Sequence, residues 1–140
     1  MAILEILFHQ LSGAQGDVLR AMALRDGRSQ RVTRALRFIR YHYKEPLDVP
    51  TIARSAYMSP STLHHEFKAV TSSSPMQCLK KIRLHEARLL MLRGDKTAAG
   101  AAREVGCQSP SQFSREFRRL FGAPPGQHVS SLQAESVSQV

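Results

Sequence analysis

The stretch SPSTLHHEFKAV, residues 59–70, returns fifty residues later as SPSQFSREFRRL, residues 109–120. Both copies read Ser-Pro-Ser, a variable residue, an apolar residue, two polar residues, Glu-Phe and a basic residue. Ser-Pro is a helix start. The serine hydroxyl accepts a free amide of the first turn, and proline at the first helical position has no amide to leave unsatisfied. In the second copy Ser109 and Gln112 also have the Ser-x-x-Gln spacing of a capping box. Helical spacing then assigns the faces. Leu63, Phe67 and Val70 share one stripe, as do Phe113, Phe117 and Leu120, and both sets are expected in the core. Left outside are Ser61, Thr62, His64, His65 and Lys68 in the first helix. In the second they are Ser111, Gln112, Ser114, Arg115, Arg118 and Arg119. What the copies share serves folding; what differs lies on the exposed face.

Each copy follows a short helix and a tight turn. Leu47-Asp48-Val49-Pro50 opens a helix to about Ala56, and Thr97 to Glu104 is an Ala-rich helix before Gly106. The spacing predicts helix-turn-helix twice, at about 47–71 and about 96–122. One long helix, about 75–93 and stopped by Gly94, joins them. In such a unit the second helix enters the major groove and the first supports it. Upstream, Ser29 is expected to cap a helix to about Tyr43, with Val32, Ala35, Leu36 and Ile39 on its apolar face. Arg31, Arg34 and Arg37 point elsewhere, and Pro46 ends the helix. Two shorter helices are expected at 2–11 and 17–25. Residues 130–140 lack a core pattern and read as a flexible tail. No alternating strand pattern occurs, so the fold class is all-α.

The 140 residues are 42% hydrophobic and 22% charged, which suits a folded, soluble chain with no membrane span. The apolar start carries Glu5 and lacks a basic flank, which argues against a secretory signal. Two distant cysteines, Cys78 and Cys107, imply no disulfide framework and favour the reducing cytoplasm. The formal net charge is +9, and between Arg28 and Val129 eighteen lysines and arginines stand against seven acidic residues. Such a segment favours a polyanion, because cations that neutralise phosphates release counterions. In charge alone, a solvated basic surface reads the same way. No catalytic triad spacing, phosphate-cradling glycine loop or four-ligand metal pattern is present. His64-His65 and Cys78 with His85 are poor metal pairs, and no cofactor is expected.

Residues 30–126 resemble the DNA-binding domain of the AraC/XylS family of bacterial transcriptional regulators. The resemblance is carried by Ala53, Ser59-Pro60-Ser61, Phe67-Lys68 and Ser74-Pro75. It continues through Ile82-Arg83-Leu84-x-x-Ala87-Arg88-Leu89-Leu90 in the long helix. In the second motif it is carried by Ala102-x-x-Val105-Gly106, Ser111-x-Phe113-Ser114-Arg115-x-Phe117, Phe121-Gly122 and Pro125. It implies a double helix-turn-helix domain over 28–129. Residues 1–27 would then be the remnant of an effector-binding domain, most of which lies outside this sequence. The effector molecule would bind that absent domain. The chain departs from the pattern at Tyr57, where the family often has glycine, and at Cys107, where a larger aromatic is usual. Ala98 and Ala101 stand where isoleucine is common, which predicts looser packing in the second motif.

By position, the resemblance makes Ser61, Thr62, His64, His65, Ser111, Gln112 and Arg115 the candidates for reading bases. Arg115 suits guanine, whose O6 and N7 accept both prongs of a guanidinium, and Gln112 suits adenine. Lys68, Ser114, Arg118 and Arg119 are candidates for phosphate contacts, which give affinity without sequence choice. Arg83 and Arg88 are expected to be structural, bonding helix ends or carboxylates such as Glu86, and Arg40 is open to either role. The expected function is sequence-specific regulation of transcription, with two recognition helices in successive major grooves of duplex DNA about 34 Å apart. RNA polymerase is a second partner by resemblance. The rival class is a basic interaction module that grips an acidic protein or polymerase, and nonspecific nucleic-acid binding is a third reading.

Overall fold

The structure, a computed structural model, describes residues 27–94 and 96–138. The helices expected at 2–11 and 17–25, and the effector-domain remnant, fall outside these residues save for Gly27. Among the described residues there are seven helices and no strand. They are α1 Gly27–His42, α2 Val49–Ser55, α3 Pro60–Thr71, α4 Pro75–Leu92, α5 Ala98–Glu104, α6 Pro110–Phe121 and α7 Pro125–Ser138. The chain divides into two compact units, Met1–Lys80 and Lys81–Val140, with the boundary inside α4. None of these helices is long and apolar enough to cross a membrane.

In the first unit α1 packs on α2 and α3, and α2 packs on α3. Val32, Ala35 and Ile39 of α1 are buried, as are Ile52 and Ala53 of α2 and Leu63 and Phe67 of α3. Asp48 caps α2, its Oδ1 accepting the Thr51 amide at 2.9 Å. These bonds to Thr51 hold the Asp48 carboxyl below its ordinary pKa. Ser29 is not a cap. It lies inside α1, buried, and its carbonyl accepts the Thr33 hydroxyl at 2.8 Å. Val70 is only half-buried.

In the second unit α5 packs on α6, and α6 on α7. Ala101, Ala102 and Val105 are buried, as are Phe113 and Phe117. Ala101 thus fills a core position with a side chain smaller than the Ile52 of the first unit, as the sequence suggests. Leu120, expected inside, is 37% exposed. The expected tail is largely helix: Gly122 ends α6, and Pro125 begins α7, which runs to Ser138. Its hold is Val129, buried, and His128, whose ring lies 5.2 Å from Phe121 and 5.6 Å from Phe117. A residue that covers the core from beyond a Pro-Pro break leaves no run of apolar spacing to read.

Candidate nucleic-acid interface

The two Ser-Pro helices begin alike at the level of single bonds. Ser59 Oγ accepts the Thr62 amide at 3.2 Å, and Ser109 Oγ accepts the Gln112 amide at 3.3 Å. The Ser59 and Ser61 hydroxyls are 3.3 Å apart, as are those of Ser109 and Ser111. Ser59 Oγ also donates to Thr62 Oγ1 at 2.8 Å. The Gln112 side chain does not close a capping box. Its Nε2 donates to Glu116 Oε1 at 3.3 Å, one turn on.

The turns match as well. The amides of Tyr57 and Met58 bond back to Arg54 and Ala53, and those of Gly106 and Cys107 to Arg103 and Ala102. Tyr57 therefore stands where the second unit has Gly106, and both have positive φ, 57° and 92°. The second connection is one residue longer, Gln108 preceding Ser109. The far ends repeat the contrast: Ser72 closes α3 at φ 61°, and Gly122 closes α6 at φ 85°. The first unit thus uses two side-chain-bearing residues in the left-handed region where the second uses two glycines.

All eleven candidates for DNA contact are exposed: Ser61, Thr62, His64, His65 and Lys68 on α3, and Ser111, Gln112, Ser114, Arg115, Arg118 and Arg119 on α6. The arginine stripe of α1 divides. Arg34 lies over the ring of the exposed Tyr57, 5.5 Å from its centroid. Arg31 turns onto α3, where Nε meets Glu66 Oε2 at 3.1 Å and Nη2 meets Oε1 at 2.5 Å. Glu66 is buried beside Phe67. This pair crosses 35 positions of sequence, and no spacing rule announces it.

Arg88 of α4 turns onto the protein itself, where the groups it meets are a histidine and an aromatic ring. Arg88 Nε donates to His128 Nε2 at 3.1 Å, and its guanidinium lies 5.4 Å from the Phe121 ring centre. The His85 ring meets Phe121 edge-on at 5.2 Å, and its Nδ1 is buried without a hydrogen-bond partner. Burial, then Arg88, holds both histidines below their ordinary pKa, with Lys81 adding to the effect at His85. Burial also pushes the Cys107 thiol up, against the attraction of Arg83 and with the repulsion of Glu116. Cys78 is buried, and among the described residues no three His, Cys, Asp or Glu side chains form a group that could hold a metal ion.

A repeated cap, turn and exposed polar face, with a buried stripe behind, define a tandem helix-turn-helix domain. A family model described as "Helix-turn-helix domain" matches residues 52–130. The transcriptional activator RhaS of Citrobacter koseri is 32% identical over 124 residues, covering 86% of this chain and 43% of that protein. The regulator GlxA of Rhizobium meliloti is 34% identical over 83 residues, 59% of this chain and 26% of that protein. The DNA-binding domain of AdpA, solved with a target DNA, superposes with TM-score 0.70 at 30% identity, covering 74% of this chain and 94% of that one. The C-terminal domain of AraT from Geobacillus stearothermophilus gives TM-score 0.68 at 27% identity, covering 72% and 84%. The chain belongs to the AraC-type helix-turn-helix family, a class of DNA-binding transcriptional regulators and not of enzymes. It spans less than half the length of these two curated relatives.

Proposed function

We propose that the chain is the DNA-reading part of a transcriptional regulator, with α3 and α6 each entering a major groove. One observation carries this reading. Two helices share cap and core and differ in the residues they expose, the arrangement expected of one scaffold adapted to two stretches of sequence. The similarity to AdpA, whose DNA-binding domain was solved on target DNA, supports it. Ser61, Thr62, His64 and His65 would read one block of bases, and Ser111, Gln112 and Arg115 another. Lys68, Ser114, Arg118 and Arg119 would hold phosphates. The bidentate geometry of a guanidinium on guanine makes Arg115 the strongest single reader. DNA as partner puts the protein in the cytoplasm. An effector bound by a domain outside this sequence, and contact with RNA polymerase, belong to the same reading.

The test is selection of bound duplexes from a random pool by the full 140-residue chain. The expected product is a motif of two short blocks. Binding that is equal for all recovered and random duplexes would instead favour nonspecific attachment. Retention by an acidic protein but not by DNA would favour the interaction module.

A further inference from the structure

We propose that Arg31 is a positioning residue for α3: its two-pronged bond to Glu66 sets the rotation of that helix about its own axis, and so which side chains meet the bases. The inference rests on the reading of α3 as a recognition helix. At 3.6 residues per turn, Glu66 lies about 140–160° around α3 from Ser61 and His64, and about 100° from His65. Those three are exposed while Glu66 is 6% exposed. The carboxylate acts as a bolt through the back of the reading helix, and Arg31 of α1 is its seat.

The geometry favours orientation over simple attachment. Both guanidinium bonds run to the two oxygens of one carboxylate, at 3.1 and 2.5 Å, so they fix direction as well as distance. Leu63 and Phe67 are also buried, but apolar packing is non-directional and tolerates a small roll of the helix. A side-chain tip lies about 5–6 Å from the helix axis, so a roll of about 20° carries it about 2 Å. That is enough to break a hydrogen bond to a base edge. Glu66 is buried and Arg31 only partly so, and burying a charge is a poor choice where stability alone is needed, since apolar residues of similar volume do as well or better. Orientation is the property that an ion pair supplies and an apolar pair does not.

Arg31 and Glu66 both lie in the first unit. The consequence is confined to the block of bases that α3 reads.

The experiment uses the full chain, the duplex recovered by selection and a random-sequence duplex of equal length. Arg31→Lys keeps the charge and removes the fork; Glu66→Gln keeps the volume and removes the charge. His64→Ala tests the reading helix directly. Folding of each variant is checked by circular dichroism and thermal melting. The expected result is that Arg31→Lys and Glu66→Gln bind the random duplex as the parent does and lose at least tenfold in preference for the selected one. Footprint protection should weaken only over the α3 block. If His64→Ala lowers that preference while Arg31→Lys and Glu66→Gln leave it unchanged, or lower binding to both duplexes equally, the positioning role is overturned. If His64→Ala leaves the preference intact, the reading assigned to α3 fails first and the positioning role falls with it.

Discussion

At residue 57 a tyrosine sits at φ 57°, where its counterpart is a glycine, and Ser72 repeats the pattern at φ 61°. A side chain in the left-handed region costs about 1–2 kcal/mol, while glycine sits there freely. Ser72→Gly should therefore raise stability by up to about 1 kcal/mol after the extra chain entropy glycine loses on folding. Tyr57→Gly should gain less, because the ring's contact with Arg34 is lost with it. Gly122→Ala should cost about 1–2 kcal/mol. An added Cβ there meets nothing within 4 Å, so the penalty is conformational and not steric. Urea midpoints of the three variants check all of this; equal midpoints would show that the turns relax. The exposed arginines separate by role. Arg115→Ala should cost about 1–3 kcal/mol on the selected duplex and relax one base position, whereas Arg119→Ala should weaken every duplex and lower the salt slope by about one. Titrations at several salt concentrations distinguish them.

Elements in this chain are set by their ends. Five helices open with a Ser, Thr or Asp side chain bonded to an amide of the first turn: Asp48, Ser59, Ser74, Thr97 and Ser109. Replacing Ser59 by alanine should cost about 1 kcal/mol, read as a lower melting temperature. Helix α7 is held differently, by side chains distant in sequence. The Arg88 bond to His128 Nε2 requires that nitrogen to be unprotonated, because an imidazolium has no lone pair to accept with. His85 and His128 have folded pKa values below the ordinary histidine range of about 6.5, so the unfolded chain binds more protons than the folded chain in that window. This contribution to stability is complete above about pH 6.5 and is lost progressively as the pH falls toward the folded values. The urea midpoint should drop between pH 7.5 and 5.5, and His128→Gln should reduce the difference. A midpoint independent of pH would contradict this account of the Arg88–His128 contact.

For the whole molecule, the basic balance predicts affinity that falls steeply with salt. A protein that neutralises six to ten phosphates loses about 10³–10⁵ in affinity between 50 and 200 mM salt. A shallow dependence would count against α6 and its arginines lying along a duplex backbone. Much of the fold was legible because it is local. Ser-Pro starts, glycine stops and the Leu63, Phe67 and Phe113, Phe117 stripes each act within one or two turns of helix, and the fifty-residue repeat exposes the duplication directly. So do the exposed faces of α3 and α6, which follow from the same spacing. Sequence spacing alone thus determined two capped, one-sided helices, each set behind a short support helix in a basic chain. Only the tertiary structure decided which polar residues turn inward. Glu66 meets Arg31 across 35 positions, and His128 meets Arg88 across 40. Such bonds form when separate helices bring polar groups together, and their energy depends on burial and angle, which periodicity does not encode. For the same reason α7 became visible only in three dimensions: its anchors, Val129 and His128, have meaning only against the core they cover.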